Sequence, residues 1–195
     1  MANHVYSYIC LEEGNSAAQA AWDKFVECAN GMSGDRLQDT ANCFEMFPET
    51  KAMADAEDWS GLHDAIGTKW AYIEECESDY IRVVSAWGVP TGFLERFANL
   101  IQEADPKSII TVQYDDEGPN FFGAMVFADG EYDEEYIDAD DYERLGLKFW
   151  WDEDEDGEEP EDFEPTYEAM SDVQDKEIQI MVDAVKINRG ETNYG

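Results

Sequence analysis

SIITVQYDDEGPNFFGAMVFADGEYDEEYID, Ser108 to Asp138, is the stretch that decides how the chain folds. Residues 108–116 and 121–130 are each rich in β-branched and aromatic side chains, so each reads as a strand. Gly118-Pro119-Asn120 between them turns the chain back on itself. A weaker period-two pattern continues through Glu131-Tyr132-Asp133-Glu134-Glu135-Tyr136-Ile137-Asp138.

Upstream of this pair, Phe93, Leu94, Phe97, Leu100 and Ile101 share one face of a helix over 92–103. Thr91 is placed to cap it and Asp105-Pro106 to stop it. Two further strands are predicted at 69–76 and 79–87. Residues 35–66 read as a loop and a short helix. Residues 4–12, HVYSYICLE, alternate as a strand, and Ser16 is placed to cap a helix over 17–30 that carries Trp22, Phe25, Val26 and Ala29. The order is β-α-β-β-α-β, an α+β arrangement of the ferredoxin-like, split β-α-β kind, with both helices expected on one face of an antiparallel sheet. A domain over 1–137 is followed by an acidic, aromatic-studded extension over 138–195 that packs on it. The extension holds a short helix near Asp140 to Leu145, an exposed acidic loop over 152–164 and a final helix over 166–187. That helix carries Tyr167, Met170, Val173, Ile178, Met181, Val182 and Val185 in an imperfect apolar stripe.

The 195 residues are enough to bury a core, and the 44% apolar fraction argues against global disorder. Against 47 carboxylates stand 12 lysines and arginines, a net charge of −35. Self-repulsion of that size costs stability, less so as salt rises. Twelve cations in this field make no basic stripe, so direct nucleic-acid binding is excluded, as is an anionic membrane surface. No secretory leader and no run of eighteen apolar residues is legible, which points to a cytoplasmic protein. Cys10, Cys28, Cys43 and Cys76 contain no Cys-x-x-Cys pair and read as reduced, mostly buried thiols. With His4 and His63 alone to help them, zinc is not expected, and no cofactor is implied.

The middle of the chain resembles the YubB ferredoxin-like family of phage and plasmid proteins. Gly67-Thr68-Lys69-Trp70 before a strand, Val84-Ser85-Ala86-Trp87 and Pro90 at a strand-to-helix switch, Gln113-Tyr114 with Glu117-Gly118, and Phe122-Gly123 opening the next strand carry the likeness over residues 65–130. The opening lacks that family's tryptophan-bearing motif, and the acidic C-terminal part departs from it. The resemblance implies the fold and a mobile-element origin, and it brings no catalytic set.

Residues 131–164 hold eighteen carboxylates against Arg144 and Lys148, so the segment carries 2 − 18 = −16. Aromatic residues interrupt the charges. Asp152, Asp154, Asp156 and Gly157 match the opening of an EF-hand loop, but Phe163 stands where the bidentate glutamate belongs, so no calcium site of that kind is expected. Each cysteine lies apart from His63, so no thiol–imidazole pair is legible, and the chain is not read as an enzyme. Trp59, Trp70 and Trp87 read as core or edge residues. The acidic segment reads as a surface that offers a basic protein a row of anions in place of phosphates. Its expected contact residues are Glu131, Asp133, Glu134, Glu135, Tyr136, Asp138, Asp140, Asp141, Trp151, Asp152, Asp154 and Asp156. The expected partner is a basic nucleic-acid-binding protein of the host cell, such as a nuclease, a CRISPR-type effector or a restriction enzyme. The chain itself would be a monomer or a small homo-oligomer. The competing expectation is a small-molecule binder whose pocket lies beside Trp70, Trp87 or Trp150, with the acids serving only solubility.

Overall fold

The computed structural model describes residues 3–32, 41–118, 120–147 and 163–191. Alternation in His4–Glu13 (β1) buries Val5, Ser7 and Ile9 and leaves His4, Tyr6 and Tyr8 half-buried on the other face. This strand pairs antiparallel on one side with Ile81–Ala86 (β4) and on the other with Ile109–Asp116 (β5). Phe121–Ala128 (β6) continues the sheet beyond β5, and Glu131–Asp138 (β7) follows β6. Ala71–Cys76 (β3) flanks β4, with the two-residue Ala41–Asn42 (β2) beside it. The strand order is β2-β3-β4-β1-β5-β6-β7, and every pairing is antiparallel. The protein is thus a mixed α+β structure built on an antiparallel sheet of six full strands and the short β2.

Ser16–Met32 (α1) and Thr91–Ala104 (α4) cover one face. Trp22 of α1 meets Phe97 of α4 edge-on at 5.4 Å, and Phe25 meets the same ring at 4.7 Å. Beneath them lie Val5, Ile9, Val83, Val112, Met125 and Phe127, which form one continuous core. Pro48–Asp55 (α2) and Trp59–Ile66 (α3) close its end through Phe47, Leu62 and Ile66. Asp105 fastens the layer. Its carboxylate accepts the Asn15 amide at 2.8 Å and the Lys107 amide at 3.2 Å, and these bonds, the first above all, lower its pKa.

The other face is covered in part. Phe163–Asn188 (α6) lies over β5 and β6, where Val182 and Val185 meet Ile109, Val126 and Ala128. Nearer its start, Met170 joins Phe122, Ile137, Tyr142 and Leu147 in a second small cluster, to which the four-residue helix Tyr142–Leu145 (α5) contributes. Gln174 holds the helix down. Its buried amide donates to the carbonyls of Tyr114 at 2.9 Å and Gly123 at 3.0 Å. β5 and β6 are therefore buried on both sides, α1 and α4 covering one face and the final helix of the extension the other. Among the described residues no helix is long and apolar enough to cross a membrane.

Several local expectations are corrected. Asn15, not Ser16, caps α1, because its side chain accepts the amides of Ala17 and Ala18 at 2.7 and 3.2 Å. The region read as a loop and a short helix holds β2, a 3-10 turn at Cys43–Glu45, α2 and α3 in its described part. Trp59 and Trp87 are not core residues. They are 53% and 59% exposed. Trp59 occupies the first turn of α3 after the Asp58 cap, and Trp87 sits past the end of β4 at φ 69°, a left-handed conformation that turns its side chain outward. All four cysteines are free, but only Cys43 and Cys76 are buried. Cys10 is half-buried and Cys28 exposed.

Candidate functional site

The acidic strand begins at a tight turn. Ala128 pairs with Glu131, leaving Asp129-Gly130 as a two-residue hairpin with φ of 56° and 81°. Positive φ at both positions is what a type I′ turn demands, and an Asp-Gly pair supplies it at low cost. The turn is held from two sides. The Gly130 amide donates to Gln102 Oε1 of α4 at 3.2 Å. Arg189, just past α6, donates through Nη2 to Asp129 Oδ1 at 2.8 Å and through Nη1 to the Lys107 carbonyl at 2.8 Å.

From this turn β7 runs beside β6 without a register shift. Glu131, Tyr132, Asp133, Glu134, Glu135 and Tyr136 are all exposed. Pairing and alternation place Tyr132, Glu134 and Tyr136 on the face shared with α1 and α4, and Glu131, Asp133 and Glu135 on the opposite face. The two tyrosines lean on β6. Tyr132 packs on Phe127 at 5.2 Å and Tyr136 stacks on Phe121 at 5.4 Å. Glu134 is fixed from beneath, because the buried Tyr114 hydroxyl donates to its carboxylate at 2.6 Å. Burial, reinforced by that bond, pushes the Tyr114 phenol far above the ordinary range. Ile137 turns inward and anchors the far end. Asp138 then accepts the Asp140 amide at 2.9 Å, and a 3-10 turn over Ala139–Asp141 carries Asp140 and Asp141. Arg144 is the sole cation in 131–147, and it pairs with Asp141 at 2.9 Å.

The structure therefore brings Glu131, Asp133, Glu134, Glu135, Tyr136, Asp138, Asp140 and Asp141 onto one sheet border and the turn that follows it. Trp151, Asp152, Asp154 and Asp156, with the EF-hand-like loop, lie outside the described residues, as does Trp150. Among the described residues no group of three His, Cys, Asp or Glu side chains is placed to hold a metal ion. Beside the hairpin, a groove of about 390 Å³ runs between α4 and β7, walled by Glu95, Asn99, Phe127 and Tyr132. A shallower hollow next to it includes Glu103 and Asp129. Both grooves carry carboxylates, and no tryptophan lines either one.

Of a second surface, only Trp70 was singled out from the sequence. The face opposite α1 and α4 is covered by α6 over β5 and β6, while its β3-β4-β1 part presents His4, Tyr6, Tyr8, Trp70, Tyr72 and Arg82. The Arg82 guanidinium lies 4.7 Å from the Tyr6 ring and 5.3 Å from the Tyr8 ring, and it pairs with Glu74 at 3.0 Å. Trp70 stacks on Tyr72 at 5.8 Å and meets His4 edge-on at 5.4 Å. Next to this array burial lifts the Asp115 carboxyl to about 6, against the pull of Arg82. The alternation of HVYSY and DYIRVV carried the signal, since it sets Tyr6, Tyr8 and Arg82 on one face.

No protein-family model matches the chain, and neither does any curated protein or solved structure.

Proposed function

We propose that the chain is a non-enzymatic binding protein whose acidic border occupies a basic groove on a nucleic-acid-binding protein. The observation that supports this most directly is β7 itself. Six consecutive exposed residues carry four carboxylates and two tyrosines, in a register held by Arg189, Gln102, Tyr114 and Ile137. Side chains on one face of a strand repeat at about 6.6 Å, so Glu131, Asp133 and Glu135 form a regular row of anions. A groove that accepts phosphates meets comparable charge there, on a backbone already ordered by its ladder to β6. Tyr132 and Tyr136 add the aromatic contact area that interfaces favour.

On this reading the chain comes from a phage or plasmid and acts in the host cytoplasm on a nuclease, a CRISPR-type effector or a restriction enzyme. The strand order β3-β4-β1-β5, with α1 and α4 as the crossing helices, supports a ferredoxin-like kernel to which β6, β7 and α6 have been added.

The test is inhibition of purified enzymes of those three kinds at several DNA concentrations, alongside a variant carrying E131Q, D133N, E135Q and D140N. Inhibition should compete with DNA, weaken on the order of tenfold between about 0.05 and 0.2 M salt, and vanish in the variant. Inhibition that survives neutralisation, or none against any of the enzymes, rejects the proposal.

A small-molecule reading is favoured by one observation, the stacked Trp70–Tyr72 pair beside Arg82 on the open sheet face. It predicts that W70A abolishes binding of a planar anionic ligand while the four-fold charge variant leaves it intact. Titration of Trp70 fluorescence with aromatic carboxylates separates the two.

A further inference from the structure

We infer that β7 is a docking edge for an extended basic segment of the partner, which adds to the sheet as an eighth strand. This rests on the reading of the acidic border as a partner surface and says how the partner is held.

Among the described residues β7 ends the sheet, and β6 is its only strand partner. The main-chain amides and carbonyls along its outer side therefore face no strand. An edge of eight residues without proline or bulge spans about 27 Å and is a template for another strand. Proteins commonly blunt such edges with a bulge, a covering helix, a very short strand or charged side chains. Among the described residues only the charges are present at β7, since α6 packs on β5 and β6 instead, and like charges bar a second acidic strand without barring a basic one. The edge is also preorganised at both ends, by the Asp129–Arg189 pair and by Ile137, so little order is lost when a strand docks.

The side chains select the occupant. In an antiparallel pair, residues directly opposite lie about 4.5–5.5 Å apart, close enough for opposite charges to attract and like charges to repel. A second copy of β7 would set carboxylates against carboxylates and is rejected. A strand with lysine or arginine at alternate positions would meet Glu131, Asp133 and Glu135 on one face. Its intervening side chains would lie on the other face beside Tyr132 and Tyr136, where apolar groups or a guanidinium stack well, and beside Glu134, whose carboxylate already accepts the Tyr114 hydroxyl. The occupant is thus a lysine- or arginine-alternating segment in extended form, held by backbone pairing as well as charge.

The test titrates the full chain, isotope-labelled for NMR, with an eight-residue peptide of alternating lysine and valine. Two further peptides have the same sequence with alternate backbone amides N-methylated, one along each edge. A fourth replaces lysine by glutamate. The unmethylated peptide should slow hydrogen exchange at alternate amides of β7. Methylation on the pairing edge should weaken binding at least tenfold, methylation on the far edge little, and the glutamate peptide should not bind. Equal binding of both methylated peptides would overturn strand addition and leave a contact made by charge alone. Protection that appears elsewhere than β7 would overturn the placement. Failure of every lysine peptide to bind would overturn both the strand addition and the acidic partner surface beneath it.

Discussion

Gly123 is the position where β7 depends on a missing side chain. A Cβ there would meet the Glu135 carbonyl and the Tyr114 hydroxyl, and would lie 2.6 Å from the Tyr114 ring carbon that bears that hydroxyl. G123A should therefore push β7 away from β6 and cost about 1–3 kcal/mol, measured by denaturant unfolding, with the first loss of amide protection in β7. Asp115 makes a pH prediction. Burial raises its folded pKa to about 6, above the ordinary unfolded value of about 3.9. Its stabilising share is complete below the unfolded pKa and is lost as pH rises through about 6. D115N should thus raise stability at pH 8 by on the order of 1 kcal/mol, after allowance for partial exposure, and change little at pH 3. Paired unfolding curves at the two pH values check it. Trp87 keeps a left-handed backbone while its ring faces solvent, a conformation that costs a side-chain-bearing residue about 1 kcal/mol or more. W87G should be neutral to stabilising by up to about 1 kcal/mol in thermal melts. A clear destabilisation would mean the exposed ring makes contacts that matter to the fold. The two exposed tryptophans were misread from sequence because residue type suggests burial, whereas backbone conformation and helix phase decide it. Tyr6, Tyr8 and Arg82 were legible by alternation alone, but nothing in the chain indicated that α6 would stop short of them.

At the scale of elements, the strands with an apolar phase were plainly readable, and β7 only as a weak continuation of the period-two pattern. β1 buries alternate residues from Val5 to Ile9, and β4 is buried throughout except at Arg82, so both carry an apolar signal that any window registers. In β7 acids occupy both phases and only Ile137 is buried, so its own sequence offers little hydrophobic period. Its existence follows from its neighbour: β6 supplies the ladder and Asp129-Gly130 supplies the turn. The acidic residues expected as a site that fall in 131–141 lie on one strand and the turn after it, and the line in which they stand comes from pairing. The final helix was readable as an imperfect stripe because it serves two separate clusters, one through Met170 and the other through Val182 and Val185. Arg189 joins that helix to the hairpin, with its side chain largely shielded and its guanidinium spanning Asp129 and Lys107. R189A should cost about 1–3 kcal/mol and speed amide exchange at Gly130 and Glu131 more than in β1. Uniform acceleration across the sheet would mean Arg189 contributes to global stability without fixing the turn.

Over the whole molecule, charge and fold oppose one another. A net −35 is carried on a chain whose ion pairs are mostly exposed, so the folded state works against its own field. Raising salt from about 0.05 to about 0.5 M should lift the melting temperature by roughly 5 °C, as calorimetry can measure. A flat response would mean that the unfolded chain repels itself as strongly as the folded one. The mixed α+β character was legible because β1, α1, β3, β4, α4 and β5 each announce their own period, whereas β2, α2 and α3 between α1 and β3 do not. The covering of the second face was not, since it depends on where a distant helix comes back to rest. The two borders of the sheet are also unlike. Among the described residues one is the eight-residue β7, while the other is β2, two residues long. A polymer chemist would call such a unit monofunctional: it has one end at which a ladder can grow and another at which growth stops. A strand captured at β7 would give a complex of one chain and one segment, and among the described residues only the short β2 border would be left for further copies to extend.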